Sequence, residues 1–240
     1  MNKKIVVIPT YNEKENIESI LLHVMQMDST IHVLVVDDNS PDGTGQIVKD
    51  IASNYKGRIF ILERLKKDGL GRAYVAGFDW CLQNKYSYIA EMDADFSHNP
   101  DDLNRLYEAL EKGAEVAIGS RYKTGINVVN WDIKRVLMSY FASRYVRFVT
   151  GLPIHDSTAG FVAYTASALE KINVHKIKFK GYAFQIEMKY RAWIKGLKLE
   201  EVPIIFTDRS KGVSKMSMGI FREAFLGVIE LKLRKIFRRL

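Results

Sequence analysis

Only one cysteine, Cys81, occurs in the 240 residues. A single thiol excludes an intramolecular disulfide framework and a cysteine-based zinc ribbon, and it fits a reducing, cytosolic compartment. Long apolar runs are missing as well. The chain passes from Lys3-Lys4 into Ile5-Val6-Val7-Ile8 and stops at Pro9, too short for the apolar region of a signal segment. No stretch approaches the ~20 apolar residues of a spanning helix. Ala224 to Leu233 comes nearest, and Glu230 and Lys232 interrupt it. The expectation is a soluble or peripheral protein. Glycine-rich phosphate loops are also absent. Neither Gly-x-Gly-x-x-Gly nor a P-loop pattern follows the first apolar run, which argues against a nicotinamide-dependent dehydrogenase. The lone pair in Gly69-Leu70-Gly71 fits a loop that opens a helix. No internal repeat or low-complexity tract marks a domain boundary.

Acidic residues are fewer than basic ones, 28 against 36, for a formal net charge of +8. That excess suits an anionic partner such as nucleic acid, nucleotide phosphates or phospholipid; it also suits a charge that only keeps the protein in solution. The hydrophobic share of 47% and aromatic share of 11% exclude a disordered chain. The length accommodates one large α/β domain or two small ones.

Strand and helix patterns alternate through the first half. Ile5–Ile8, Val33–Val36, Ile59–Leu62, Tyr88–Met92 and Val116–Ile118 read as buried parallel strands. Between them, Asn12-x-x-Glu15 reads as a capping box for a helix toward Met27. Further helices are expected over Gly45–Ala52 and Leu70–Leu82, where Ala73, Ala76 and Gly77 permit close packing. Another should run from Asn99-Pro100 through Leu110, with Pro100 at its first position. In the second half the pattern predicts a helix over Trp131–Val149, broken by Gly151-Leu152-Pro153. It then predicts a strand over Gly160–Tyr164, a helix over Ala183–Ile194 and a strand over Leu199–Phe206. A polar loop over Asp208–Ser217 and a basic amphipathic helix over Phe221–Leu240 complete the chain. The fold class is therefore α/β, a mainly parallel sheet with helices on both faces.

Ligands of such sheets sit beyond the carboxyl ends of the strands. Tyr11 and Glu13, Asp37 and Asp38, Asp93 and Asp95, and Arg121 all fall at those ends. In Asp93-x-Asp95, two carboxylates can share one hard divalent cation bridging a diphosphate, or they can cap the following helix. Ser97 and His98 could extend that shell. Asp37-Asp38-Asn39-Ser40 can accept from ribose or base, form a turn, or do both. Arg121, Arg135, Arg209 and Lys215 suit phosphate oxygens, although each taken alone reads more readily as a solvated surface residue. The loop around Arg209 and Lys215 could close over a charged leaving group.

Taken in order, several segments resemble the glycosyltransferases of family 2 with a GT-A fold, and among them the polyprenol (dolichyl) phosphate mannosyltransferases. They are Ile8-Pro-Thr-Tyr-Asn-Glu13, Val35-Val-Asp-Asp-Asn-Ser-Pro-Asp-Gly-Thr44, Met92-Asp-Ala-Asp-Phe-Ser-His98 and Ile118-Gly-Ser-Arg-Tyr122. Trp131 to Arg135 with Ser139, Asp156-Ser-Thr-Ala-Gly-Phe161, Gly181 to Met188 and Glu201 to Lys215 continue the match. The resemblance implies a short form without transmembrane helices that transfers mannose from GDP-mannose to polyprenyl phosphate with inversion. A UDP-sugar donor, or a silent lipid-phosphate-binding subunit, would keep the same fold. It also implies roles. Pro9, Tyr11, Glu13, Val36 and Asp38 would hold the nucleoside. Asp93, Ala94 and Asp95 would hold a divalent metal, Mg²⁺ or Mn²⁺, with the diphosphate, which Arg209 and Lys215 would also grip. Arg121, Arg135 and Ser139 would bind the acceptor phosphate, and Asp93, Asp95 and Arg121 are the catalytic set.

One domain is expected over 1–240, with a nucleotide-sugar half over about 1–122, an acceptor-side half over about 123–217 and the last helix over about 218–240. In that helix Phe221, Phe225, Val228, Ile229, Leu233, Ile236, Phe237 and Leu240 form one apolar stripe. It fits the protein's own core, an anionic bilayer interface or a membrane-embedded partner subunit. The expected location is cytoplasmic, peripheral at the cytosolic face of a membrane. A nucleic-acid partner is not expected, since the basic residues are not interleaved with aromatics as in stacking platforms.

Overall fold

The computed structural model describes residues 2–181, 183–208 and 218–237, with side chains omitted over 218–224. Five strands are joined by helices in strict alternation: β1 (Lys4–Thr10), α1 (Ile17–Met27), β2 (Ile31–Asp37), α2 (Thr44–Asn54), β3 (Ile59–Glu63), α3 (Leu70–Gln83), β4 (Tyr88–Glu91), α4 (Asp102–Glu111) and β5 (Val116–Ser120). The chain continues through β6 (Val128–Val129), α5 (Ile133–Thr150), β7 (Val162–Thr165), α6 (Ala166–Ile172), α7 (Ala183–Ile194), β8 (Leu199–Pro203), β9 (Phe206–Thr207) and α8 (Met218–Ile236).

Seven strands form one sheet in the order β3-β2-β1-β4-β7-β5-β8, and β6 with β9 form a separate two-stranded ribbon. All neighbours in the large sheet are parallel except β7, which runs antiparallel to both β4 and β5. The period-2 geometry of a strand sends alternate residues of β1 to opposite faces. Ile5 and Val7 enter a core built with α3, α6 and α7, whereas Val6 and Ile8 enter one built with α1 and α4. Helices cover both faces, as the apolar strands require. Gly77 shows how closely α3 lies on the sheet: a Cβ there would stand 2.6 Å from Val7 Cγ1.

Three expectations change. The helix after β1 opens at Ile17, not at an Asn12 capping box, because Asn12 takes φ 58° and the 12–14 amides are used elsewhere. Pro100 lies in a turn before α4 rather than at its first position, with the Leu103 amide bonded to the Pro100 carbonyl. The strand expected over Leu199–Phe206 is two. Its partner β5 ends at Ser120, so the chain leaves the large sheet after Pro203 and pairs β9 with β6. The short helix α6 lies outside every sequence-based expectation.

No described helix is long and apolar enough to cross a membrane. Helix α8 packs on α5, where the Tyr145 and Phe225 rings stack 4.6 Å apart, and a Lys178–Glu230 ion pair of 2.6 Å ties it to the body. Val228 of the expected stripe is buried together with Leu231, facing the core. Phe225, Ile229, Leu233, Ile236 and Phe237 are exposed. Phe221 and Leu240 lie outside the described side chains.

Candidate active site

The loops after β1, β2, β4 and β5 meet along one edge of the sheet, and they are stitched to one another. Consecutive amides of Asn12, Glu13 and Lys14 donate to Ser40 Oγ (3.0 Å), Thr44 Oγ1 (3.0 Å) and Asp42 Oδ2 (3.1 Å). Asp37 is spent on bracing. Its Oδ1 accepts from Thr10 Oγ1 at 2.8 Å and from Ser40 Oγ at 2.6 Å. Asp38 takes the other role and pairs with Arg64 at 2.7 Å. Burial pushes the Asp38 carboxyl up, against the opposing pull of Arg64. Arg64 and Lys67, the latter with Nζ 4.2 Å from the Tyr11 ring centre, were missed in the sequence. Their signal was position, since β3 ends on the same edge. Pro9 and Val36 sit in β1 and β2 beside these loops, so the expected nucleoside set is gathered in one place.

The loop after β4 carries the two aspartates. Asp95 is buried, and its Oδ1 accepts from the Ser97 amide (3.1 Å) and hydroxyl (2.6 Å), which fixes the carboxylate plane. Phe96 between them holds φ 59°, a left-handed conformation uncommon for an aromatic residue. Ala94 is buried. The Asp93 side chain is 39% exposed and stands 4.0 Å from His98 Nδ1. His98 does not extend a metal shell. It accepts from the Asp93 amide (3.3 Å), stacks on Phe161 at 5.0 Å and meets Phe206 edge-on. Burial lowers its pKa to about 4, so the ring is neutral at physiological pH. Among the described residues no group of three or more His, Cys, Asp and Glu gathers to hold a metal. Two hard carboxylate oxygen donors, one reaching solvent, nevertheless fit Mg²⁺ or Mn²⁺, which commonly takes one or two carboxylates and completes its shell with phosphate oxygens and water.

Arg121, after β5, is buried in a carboxylate clamp. Its backbone N–H, Nε and one terminal nitrogen donate to Asp156 at 3.0, 2.6 and 2.6 Å, and that nitrogen also reaches Thr158 Oγ1 at 2.8 Å. Burial alone would raise the Asp156 carboxyl; the Arg121 charge and hydrogen bonds outweigh it and hold the carboxyl below its ordinary value. Glu201 supports Asp156 from behind. Its Oε1 accepts from the Asp156 amide (3.0 Å), the His155 amide (2.9 Å) and Ser120 Oγ (2.8 Å). Lys189, fully buried, donates to the Ala159 carbonyl at 2.6 Å and holds the same segment. Beneath it Glu91 bonds Gln185, and burial pushes the Glu91 carboxyl up and the Lys189 ammonium down. Sequence reading singled out neither Glu91 nor Lys189, and met Glu201 only as the start of a matching segment, because a buried charged residue in a helix or strand looks like any surface one.

Helix α5 begins beside this clamp, capped by Asp132, whose Oδ1 accepts from the Lys134 amide at 2.8 Å. Ser139 Oγ accepts from the Tyr122 hydroxyl at 2.8 Å, which joins α5 to the loop after β5. Arg135 pairs with Asp208 at 2.8 Å and stacks over Trp131. The ribbon of β6 and β9 lies between the two groups, with the Thr207 amide bonded to the Ser97 carbonyl at 3.3 Å. Arg121, Arg135 and Ser139 are thus brought together, a short way along the edge from Asp93 and Asp95. Arg209 and Lys215 lie outside the described residues.

Known proteins of one family resemble this chain over most of its length. The signature of the glycosyl transferase family 2 matches residues 5–173. A polyprenol monophosphomannose synthase of Mycolicibacterium smegmatis is 48% identical over 232 residues, 97% of this chain and 88% of its own. An undecaprenyl-phosphate mannosyltransferase of Micrococcus luteus is 44% identical over 224 residues, 93% of this chain and 91% of its own. Among solved structures, a glucosyl-3-phosphoglycerate synthase from Mycobacterium tuberculosis, crystallised with Mn²⁺ and UDP, superposes with a TM-score of 0.69 at 18% identity, over 95% of this chain and 80% of its own. A mannosyltransferase from Pyrobaculum calidifontis, in complex with GDP-mannose and Mn²⁺, gives 0.62 at 18% identity, over 98% and 64%. At such identities the structural likeness speaks for the fold alone.

Proposed function

The chain belongs to glycosyl transferase family 2, and from that premise we propose that it transfers mannose from GDP-mannose to a polyprenyl phosphate, giving polyprenyl phosphate mannose with inversion at the sugar. The observation that carries the reading is the meeting, on one sheet edge, of a two-carboxylate loop and an arginine pair, with no nucleophile–base constellation between them among the described residues.

In this reading residues 1–122 form the donor half, with Pro9, Tyr11, Glu13, Val36 and Asp38 around the nucleoside. Asp93 and Asp95, with Ala94 between them, hold the divalent metal, whose contribution is to neutralise charge on the departing diphosphate. Arg209 and Lys215 add to that neutralisation. The acceptor half, 123–217, offers Arg135 and Ser139 beside Arg121 to the lipid phosphate. A phosphate monoester is already ionised at neutral pH, so its oxygen can attack the anomeric carbon directly while the bond to the diphosphate breaks on the opposite side. No side chain has to remove a proton. The two arginines orient the nucleophile, which is where such geometry lowers the barrier.

The lipid acceptor brings the protein to a membrane surface. Helix α5 supports this. It carries four basic and no acidic residues, and its Leu137, Met138, Phe141 and Phe148 are exposed, Phe148 at 91%. Next to it α8 exposes Phe225, Leu226, Ile229 and Leu233. Apolar side chains rimmed by cations suit an anionic bilayer interface, at the cytosolic face.

The deciding experiment is a transfer assay crossing GDP-mannose and UDP-glucose with prenyl phosphates of several lengths, with Mg²⁺ or Mn²⁺. Product should form from GDP-mannose, and Asp95→Ala should reduce it at least about a hundredfold, as loss of one group that stabilises transition-state charge does elsewhere. Full activity in that variant, or preference for UDP-glucose, would overturn the assignment.

A further inference from the structure

Trp131 touches both arginines of the acceptor group, and neither metal chemistry nor nucleotide binding accounts for it. Its ring centre lies 4.1 Å from Arg135 Cζ and 5.5 Å from Arg121 Cζ. The two cations come from different parts of the fold, one after β5 and one on α5. Each faces the same aromatic quadrupole, and the two Cζ atoms lie no farther apart than those two distances together. Phe206 packs edge-on against Trp131 at 5.2 Å and itself faces Arg121 Cζ at 5.6 Å, which fixes the indole from the ribbon side. A carboxylate holds each guanidinium from another direction: Asp156 for Arg121 and Asp208 for Arg135.

One detail argues against a purely structural indole. Its Nε1 atom is buried and has no hydrogen-bond partner among the described residues. An orphaned buried donor costs stability. What the ring turns to both cations is its large, electron-rich face.

We propose that Trp131 is a positioning residue: its ring spaces the Arg121 and Arg135 guanidinium groups so that both can engage one acceptor phosphate. The proposal rests on the functional reading above, because it takes that pair as the phosphate-binding group. Like charges held this close repel, and the ring sets their separation while the phosphate is absent.

The test compares Trp131→Phe, which keeps an aromatic face and removes the orphan donor, with Trp131→Leu and Trp131→Gln, which remove the face. Steady-state transfer and direct calorimetric binding of a short-chain prenyl phosphate are both measured, together with GDP binding and thermal unfolding. Trp131→Leu and Trp131→Gln should raise acceptor KM and Kd by at least about tenfold, the scale of losing cation–π contacts to two guanidinium groups. KM for the donor and Kd for GDP should stay within about twofold. Trp131→Phe should retain acceptor affinity within about threefold and unfold at or above the wild-type temperature. Unchanged acceptor Kd in Trp131→Leu or Trp131→Gln would overturn the proposal. So would a Trp131→Phe protein as impaired as those two. A wild-type protein that binds the prenyl phosphate without mannosyl transfer would count against the functional reading instead, and the Kd comparison would still decide the role of Trp131.

Discussion

Replacing Asp156 by Asn should unsettle both the fold and the acceptor group, and the structure sets the size. Asp156 is fully buried, and the Arg121 side chain is 9% exposed. Three nitrogens of Arg121 donate to the carboxylate. Asparagine keeps one acceptor oxygen, turns a donor toward donors and leaves the guanidinium charge without its counter-charge. Removing one partner of a buried pair costs about 3–5 kcal/mol. In a chain of this length each kcal/mol moves Tm by ~2–4 °C, so a loss of at least roughly 6 °C is expected. Denaturant unfolding and scanning calorimetry at pH 7.5 and 5.5 measure it. The pH sign follows from the depressed Asp156 pKa. A carboxyl held below 3.8 in the folded state contributes stability that is complete above 3.8 and lost as pH falls through the folded value. The gap between wild type and Asp156→Asn should therefore be equal at the two pH values and narrow only below about 3.8. Acceptor KM should rise and donor KM hold, since Arg121 is what moves. A loss under about 1 kcal/mol, the range of solvated pairs, would refute the reasoning. A gap that closes between pH 7.5 and 5.5 would refute it as well, because the titrating group would be another.

Two further outcomes follow from packing and from the exposed face of α5. Gly77→Ala places a methyl 2.6 Å from Val7 Cγ1 and 3.2 Å from Val36 Cγ2, so α3 must shift; about 1–3 kcal/mol of stability should be lost in urea titration, with both KM values unchanged. The double variant Phe141→Glu with Phe148→Glu should weaken co-sedimentation with phosphatidylglycerol-containing vesicles by about tenfold or more per residue, since each buried ring contributes at least ~1.5 kcal/mol. Transfer to a short-chain acceptor in solution should be unaffected, and equal vesicle binding would remove α5 as the docking element.

The donor edge was legible because its signal is local. Strands β2 and β4, which run into Asp37-Asp38 and Asp93-x-Asp95, mark their own positions in the fold, and five apolar strands alternating with helices point to a mainly parallel sheet; the antiparallel β7 between β4 and β5 was not legible. The reading went wrong where a tertiary partner competes for local groups. The Asn12–Glu15 capping box was outbid by Ser40, Asp42 and Thr44, which take the 12–14 amides. The acceptor edge was legible only through resemblance, because Arg121, Trp131, Arg135, Asp156 and Glu201 are scattered in sequence and meet through long-range pairing. That Arg121 is clamped by Asp156, and Asp156 in turn by Glu201, could not be seen from spacing, since 35 and 45 residues separate the partners.

Strand β7 carries a consequence for how such an enzyme can change. Its neighbours β4 and β5 deliver their loops to the working edge as the chain leaves the sheet. Running the other way, β7 admits the Asp156–Phe161 segment to that same edge as the chain arrives. There the incoming segment braces the outgoing loops, Asp156 holding Arg121 after β5 and Phe161 stacking on His98 after β4. A change at Asp156 or Phe161 therefore reaches the loop after β5 or the loop after β4. A single reversed strand makes that segment the keystone of the edge, a single piece of chain against which loops from two neighbouring strands are fastened.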